Sequence, residues 1–544
     1  MRSVVAAMAL LAAGAPGALG ADVTAISLKY ICGAESQATA DVGARRLEIV
    51  PGVGTGGFAI RTTSPDAQRW FNFGVTLFHA FYHDDAKLAF DKAVAADPAC
   101  ALCLWGQALA HGPTQNFDID APETKVAAGY ARKALDAART PQEQVLAKAM
   151  VARYAAKQDP RAEIDFANAL LRAAALDPAN LDLALIASEA LLAAQRRGDS
   201  HSADRAIALL QPILATDPDN TAAIHYYIHA TEFVGKAALA EPYADRLAAL
   251  APKASHLIHM AAHTYLHVGR YEDAAALNAH ALSVDTDWSH ATGAAGPLGA
   301  PPYYPHNLGF GLAGALMAGD GPLALKFADH APLALPDAFR AGMGINTIAR
   351  SYVAYGRFDP DRALSLPQPA AGNIYRLAMW RYARGEAYAA KGDARGVLEE
   401  SRQIGVGMGP KPDLHDFNLS QAEIARRVLE GRAAMIQGQP DAAAKIFKDA
   451  AAFQERFSWG MDPPPWWYPV RRSLAAADLK AGRNADAVRE ASASLAAWPG
   501  DGLALSVLAT AEQRLGKDDA ARKHLEDARR AWRGDPAKTP LDLI

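Results

Sequence analysis

The feature that most constrains the fold is a spacing. His225 and His229 stand four residues apart, as do His259 and His263, and each member of the first pair precedes its counterpart by 34 residues. Histidines at i and i+4 share one face of a helix. The stretch from Asn220 to Asp285 therefore reads as two consecutive helix-turn-helix units of equal length with equivalent faces. A unit of that length cannot bury its apolar stripe alone and must stack on neighbours, which predicts a repeat array. Composition agrees: 51% of the 544 residues are hydrophobic and 21% charged, with alanine, the strongest helix former, prominent among them. The net charge of −4 lacks the clustered basic excess of a nucleic-acid binder.

In chain order, Met1-Arg2-Ser3, an apolar run from Val4 to Ala13 and small residues before Ala21 read as a signal peptide over 1–20, cleaved near Gly20-Ala21. This predicts an exported protein, periplasmic or secreted. No other segment is apolar enough to span a membrane. Residues 21–62 form an N-terminal extension with a glycine-rich loop, Pro51 to Gly57. The remainder divides into a repeat array with a histidine-rich groove (63–290), a Gly/Pro loop (291–305), central helical repeats (306–460), a PPPWWYP loop (461–469) and C-terminal units (470–535).

From Ser64 the spacing of Trp70, Phe73, Gly74 and Leu77, then Ala86, Phe90 and Ala93, then Pro98, resembles the tetratricopeptide repeat family. Small residues such as Gly74 and Ala86 let paired helices cross closely, and Trp70 and Phe90 fill the space between. Weaker matches recur at Ala206 to Pro218, Gly385 to Asp393, Gly431 to Ala450 and Gly516 to Leu525. The resemblance implies an all-α, right-handed solenoid with a concave groove lined by the first helix of each unit. Such grooves bind protein or peptide partners. The chain is also similar to a bacterial subgroup of exported, histidine-rich repeat proteins that share the Cys100–Gly106, His225/His229 and Tyr304/His306 elements.

By that register His225, His229, His259 and His263 fall on the inner face, His256 one turn before His259, and Glu232 about one turn after His229. The family's best-known peptide grooves use Lys, Asn and Arg there to clamp a terminal carboxylate, and this sequence departs from that pattern. Two i, i+4 histidine pairs on adjacent helices are a plausible chelating set. Glu232 would add a carboxylate ligand or general base, and His306, after the Gly/Pro loop, a further wall. So nitrogen-rich a set suits Zn, Cu, Ni or Fe. The plainer alternative is that these rings knit the repeats together, with Tyr226, Tyr227 and Tyr265 as partners.

Glu189 is a candidate for the groove's opposite wall, and Tyr226, Tyr265, Trp466 and Trp467 for its lining. Three prolines hold the Trp466-Trp467 segment stiff, either as a plug into the core or as a binding platform. His79 and His83, also four apart, sit at a helix end and turn, where capping or surface roles are expected; His111 is near enough to face the groove beside them. Cys100 and Cys103 form a CxxC just after Asp97-Pro98, open to a redox or metal role, a local disulfide or simple burial in a helix, and an odd count leaves Cys32 over. There is no HExxH element, no phosphate loop and no serine or cysteine nucleophile in a recognisable setting, so the residues name no reaction. Two functions remain open: a peptide-binding scaffold, and a metal-binding protein using the His/Glu cluster.

Overall fold

The computed structural model describes residues 45–156, 159–293, 303–331, 343–370, 372–457 and 462–544. The signal-peptide segment, Cys32 and most of the Gly/Pro loop lie outside these residues. Among the described residues there are 24 α-helices and no strand. Each helix packs chiefly on its sequence neighbours, giving an all-α array of helix pairs. No helix is long and apolar enough to cross a membrane.

The pairing follows the small-against-large rule. A Cβ placed on Gly74 would lie 2.6 Å from the Phe90 ring, on Gly311 2.5 Å from Phe327, and on Gly431 2.4 Å from Phe447. In all three the glycine precedes its phenylalanine by 16 residues, so one packing device recurs at widely separated points. The recurrence is that of an all-α helical repeat fold. Apolar side chains collect into two cores, one from Leu47 to Phe310 and one from Tyr271 to Ile544. The cores overlap at the helices Tyr271–Thr292 and Tyr304–Ala318, so the histidine-rich helices sit close to the junction.

Residues 45–62 are more than a loop. They run extended past successive repeats, in the reverse of chain order. Arg46 N–H donates to Thr292 O (2.9 Å) and Lys253 N–H to Gly52 O (2.8 Å). Thr55 N–H donates to Thr221 Oγ1 (2.9 Å), Gly57 N–H to Asp182 Oδ1 (3.1 Å), and Arg61 Nε to Glu143 Oε1 (3.0 Å). Thr221, Asp182 and Glu143 all lie in the first turns of their helices, and Glu143 also caps its own helix, accepting from Thr140 N–H. A cavity of about 440 Å³ is lined by residues 55–59, Asn180 and Asp182, with no histidine in its lining.

The C-terminal units are locked by a buried ion pair. Arg472 Nη1 lies 3.0 Å from Asp501 Oδ1, with both side chains fully buried. Asp501 also caps the helix Gly502–Arg514, accepting from the Leu503 and Ala504 N–H groups. Asp501→Ala removes the cap and leaves a buried guanidinium unpaired, a loss of about 3–5 kcal/mol. Asp501→Asn keeps the cap and loses only the charge, so denaturant titration of both separates the two contributions.

Candidate functional site

The helix Thr221–Phe233 begins at Asn220, whose Oδ1 accepts from Ala223 N–H. It carries His225, His229 and Glu232. The helix Ser255–Val268 carries His256, His259, His263 and His267 and ends at Gly269, whose φ of +85° ends the helix in the left-handed conformation. Both are buried on almost every face, as helices without a polar stripe must be. His306 enters from the first turn of the helix Tyr304–Ala318. All six central rings are buried, His306 the most exposed at 8%.

The register holds in part. The repeat partners His229 and His263 meet, with ring centroids 5.4 Å apart, but His225 packs against His256, 31 residues on, at 5.0 Å. Two triads result. One nitrogen from each of His225, His229 and His256 lies within 4.8 Å of the others; the same holds for His259, His263 and His306, and for the ligand atoms of Glu232, His267 and Asp462. The triads lie side by side, His256 being 5.8 Å from His259 between centroids.

The outward-facing nitrogens fix the tautomers. His225 Nδ1 lies 2.7 Å from the His79 carbonyl, which can only accept. His259 Nδ1 lies 2.7 Å from Asn278 Oδ1, and Asn278 Nδ2 donates in turn to Ala274 O. His263 Nδ1 lies 3.1 Å from Asp462 Oδ2 and 3.1 Å from Glu232 Oε2. Each of these Nδ1 atoms carries a proton, so in the neutral rings of His225 and His259 each Nε2 is a lone pair. These Nε2 atoms point inward: His259 to His263 at 3.0 Å, His259 to His306 at 2.7 Å, and His225 to His256 at 3.2 Å. His229 Nε2 and His256 Nδ1 are buried without a hydrogen-bond partner in the protein. Burial pushes His225 and His306 down to about 3, and His229, His256 and His259 well below the usual imidazole range, reinforced by neighbouring rings. Neutral imidazole is the form a metal ligand requires, and an Nδ1–H held by carbonyl, amide or carboxylate is the usual outer support of a metal-bound histidine.

Two phenylalanines enclose the rings. Phe81 stacks on His256 (centroids 5.0 Å, 20° between planes) and meets His225 edge-on at 4.3 Å. It is the one positive-φ residue other than glycine among those described, at +60°, a backbone state that costs of order 1–3 kcal/mol. Its carbonyl accepts from Tyr303 O–H at 2.6 Å. On the other side Phe310 lies 4.5 Å from His259 and 4.4 Å from His263. The cluster reaches solvent near Glu232 and Asp462, beside the half-exposed His267.

Other expected residues fall elsewhere. Trp466 and Trp467 are plugs, 1% and 2% exposed, packed against Tyr382; of the two expected roles, they do not form a platform. Tyr265 donates to Asp245 (2.6 Å) beneath the Arg270 guanidinium. Tyr226 is buried, its O–H 2.9 Å from His79 Nδ1. Glu189 is buried away from the triads, accepting from Gln115 N–H at 2.8 Å; burial raises it to about 7 against the pull of Arg153. His79 and His83 are buried, not on the surface. Large neighbours close over this turn: Phe78 and Phe81 flank His83, and Asp182 binds His79 Nε2 at 3.0 Å. His111 instead pairs with Glu123 at 2.8 Å. Cys100 and Cys103 form a disulfide. Asp462 and Asn278 escaped the sequence reading. Neither stands in a histidine motif, and Asp462 is 199 residues from His263.

No protein-family profile matches the chain, and no curated protein matches it. Among solved structures it is similar to the APC/C hetero-tetramer Cut9-Hcn1, at 12% identity and TM-score 0.28, over 83% of this chain and 78% of that one. It is also similar to the P58(IPK) TPR domain, at 12% identity and TM-score 0.25, over 86% of this chain and 98% of that one. A third likeness is to Naa15/Naa10 bound to HypK-THB, at 12% identity and TM-score 0.23, over 85% and 69%. Likenesses at this level carry no argument about function.

Proposed function

We propose that this chain is a metal-binding protein whose helical repeats enclose a histidine-rich centre for a d-block ion. One observation carries the reading: His225, His229 and His256 each bring one nitrogen within 4.8 Å of the others, as do His259, His263 and His306, and all six rings are buried. In the second set the Nε2 atoms of His259 and His263 lie 3.0 Å apart. A tetrahedral ion with metal–nitrogen bonds of about 2.0–2.1 Å holds its ligands about 3.4 Å apart, close to the spacing seen. The donor set is imidazole-rich, matching Zn, Cu, Ni or Fe. Glu232 and Asp462 supply negative charge on the solvent side. An exported location, carried by residues 1–20, belongs to this reading and is tested by N-terminal sequencing of the mature protein.

Gently purified wild-type protein is expected to retain stoichiometric d-block metal by ICP-MS. The double substitution His225→Ala, His259→Ala is expected to lose it while keeping its helical circular dichroism. Wild-type protein that neither retains nor takes up Zn²⁺, Cu²⁺, Ni²⁺ or Fe²⁺ would sink the reading. Capture of an extended peptide stands second. It is favoured by the way Thr221 and Asp182 hold backbone N–H groups of residues 55 and 57, but the chain's own segment occupies that surface.

A further inference from the structure

A third group of ligand atoms, from Glu232, His267 and Asp462, stands outside the two buried triads. One ligand atom from each lies within 4.8 Å of the others. The group sits where the cluster meets solvent: the His267 side chain is 44% exposed, Glu232 13% and Asp462 9%. Elsewhere aromatic rings close over the imidazoles, Phe81 and Tyr303 against His256, and Phe310 against His259 and His263.

Glu232 joins this group to both triads. Its Oε2 lies 3.8 Å from His229 Nδ1 and 3.1 Å from His263 Nδ1, and these rings belong to different triads. His263 Nε2 meets His259 at 3.0 Å, and His229 Nε2 is buried without a hydrogen-bond partner in the protein. Each of the two rings thus shows one nitrogen to the carboxylate and keeps the other inside. Asp462 is held in place through its neighbours, Arg350 Nη2 donating to the Pro463 and Pro464 carbonyls at 3.0 and 2.8 Å. Asp462 Oδ2 meets His263 Nδ1 at 3.1 Å, while its Oδ1 is buried with no hydrogen-bond partner in the protein. That oxygen is a ready ligand for a cation.

The donors change along this line. Two carboxylates and one imidazole with an open side let an ion keep part of its water, whereas the triads offer imidazole alone. Imidazole suits d-block ions better than carboxylate and water do, so the gradient runs inward. His267 Nε2 stands 3.6 Å from Asp462 Oδ2 as its charge partner; an arriving cation takes that place, and the His267 proton leaves to solvent.

We propose that Glu232, His267 and Asp462 form a solvent-open loading site, which takes a hydrated divalent d-block cation and passes it to the triads past His229 and His263. The proposal rests on the metal-binding reading and adds the route by which the centre is filled. Its chemistry is ligand exchange at the ion and loss of one proton from His267.

The test uses the full chain, stripped with chelator and mixed with Co²⁺ in a stopped-flow spectrometer. Tetrahedral, nitrogen-ligated Co²⁺ absorbs visible light far more strongly than the hydrated ion, so the rising band times arrival in the triads. ICP-MS after desalting counts the metal finally held. His267→Ala decides, because His267 pairs with Asp462 and belongs to neither triad. It is expected to slow uptake by about tenfold or more, as loss of a group around a metal site does, with the final content unchanged. A protonated His267 acting only as a charge would repel the cation, and its removal would speed uptake, so the sign of the change separates the two roles. Uptake as fast as wild type or faster, or a lower final content in the folded variant, overturns the loading site and leaves the metal-binding reading standing. No uptake of Co²⁺ by the wild type, nor of Zn²⁺, Cu²⁺, Ni²⁺ or Fe²⁺, overturns the metal-binding reading itself. His267→Gln, checked by circular dichroism, gives the same comparison should the alanine variant misfold.

Discussion

Metal-free protein is expected to melt below metal-loaded protein, and the difference is expected to vanish in the His225→Ala, His259→Ala variant. An ion that binds only the folded state stabilises it by about 4 kcal/mol when free metal is about a thousandfold above Kd. At roughly 2 cal/mol/K per residue, a chain of this length unfolding as one unit has an unfolding entropy of about 1 kcal/mol/K, so the shift is about 4 °C. If only the N-terminal half melts with the site, the shift doubles. Differential scanning calorimetry with and without chelator measures it. Equal melting temperatures at saturating metal would mean that the folded and unfolded chains bind the ion equally, which a preorganised centre forbids.

Metal-free protein is also expected to lose stability as pH falls below 6.5. Burial holds His83, His225 and His306 neutral down to about 3, whereas the unfolded chain takes up protons near 6.5. Between these values the unfolded state binds more protons and is favoured. At pH 5 each of the three costs about 2 kcal/mol relative to neutral pH, and His229, His256 and His259 shift in the same direction. Groups with raised values work the other way. Burial raises Glu189 and Asp285 to about 7, so their contribution is fully present at low pH and is lost as pH rises through 7. Burial also raises Asp85 and Glu232, and Asp462 raises His267 to about 9 against the cost of burial, but the six depressed histidines outweigh these groups and leave a net loss on acidification. Urea titrations of chelator-treated protein at pH 7 and pH 5 read it directly; a midpoint that holds steady or rises at pH 5 would contradict the buried neutral rings.

The fold was legible where the signal was periodic. The 16-residue spacing of Gly74 and Phe90, and the 34-residue spacing of the histidine pairs, are local properties of a repeating unit. The repeat register puts His225, His229, His259 and His263 on the inner faces of their helices; that these faces are buried is seen only in the fold. What escaped was closure. Asp462 reaches His263 from a segment 199 residues away, and no periodicity links an aspartate before three prolines to a histidine helix. Asn278 looks like any polar residue of an outer helix until its side chain is seen beneath His259. The turn at His79–His83 reads as exposed by position, yet Phe81 adopts a rare backbone conformation there and turns its ring among the histidines. The tryptophan pair illustrates the same limit: stiffness was readable from the prolines, the direction of insertion was not.

The segment 45–62 has a consequence for how the molecule comes apart. An array in which each unit touches only the next behaves as a one-dimensional chain, able to fray from either end. Here a single extended thread ties Glu143, Asp182, Thr221, Lys253 and Thr292 together. Opening any one of those units loosens the anchorage of all the others, which converts gradual fraying into all-or-none loss over that half of the molecule. The imidazole cluster lies within the span so tied. It is thereby shielded from the local openings through which a buried ion would otherwise leak away.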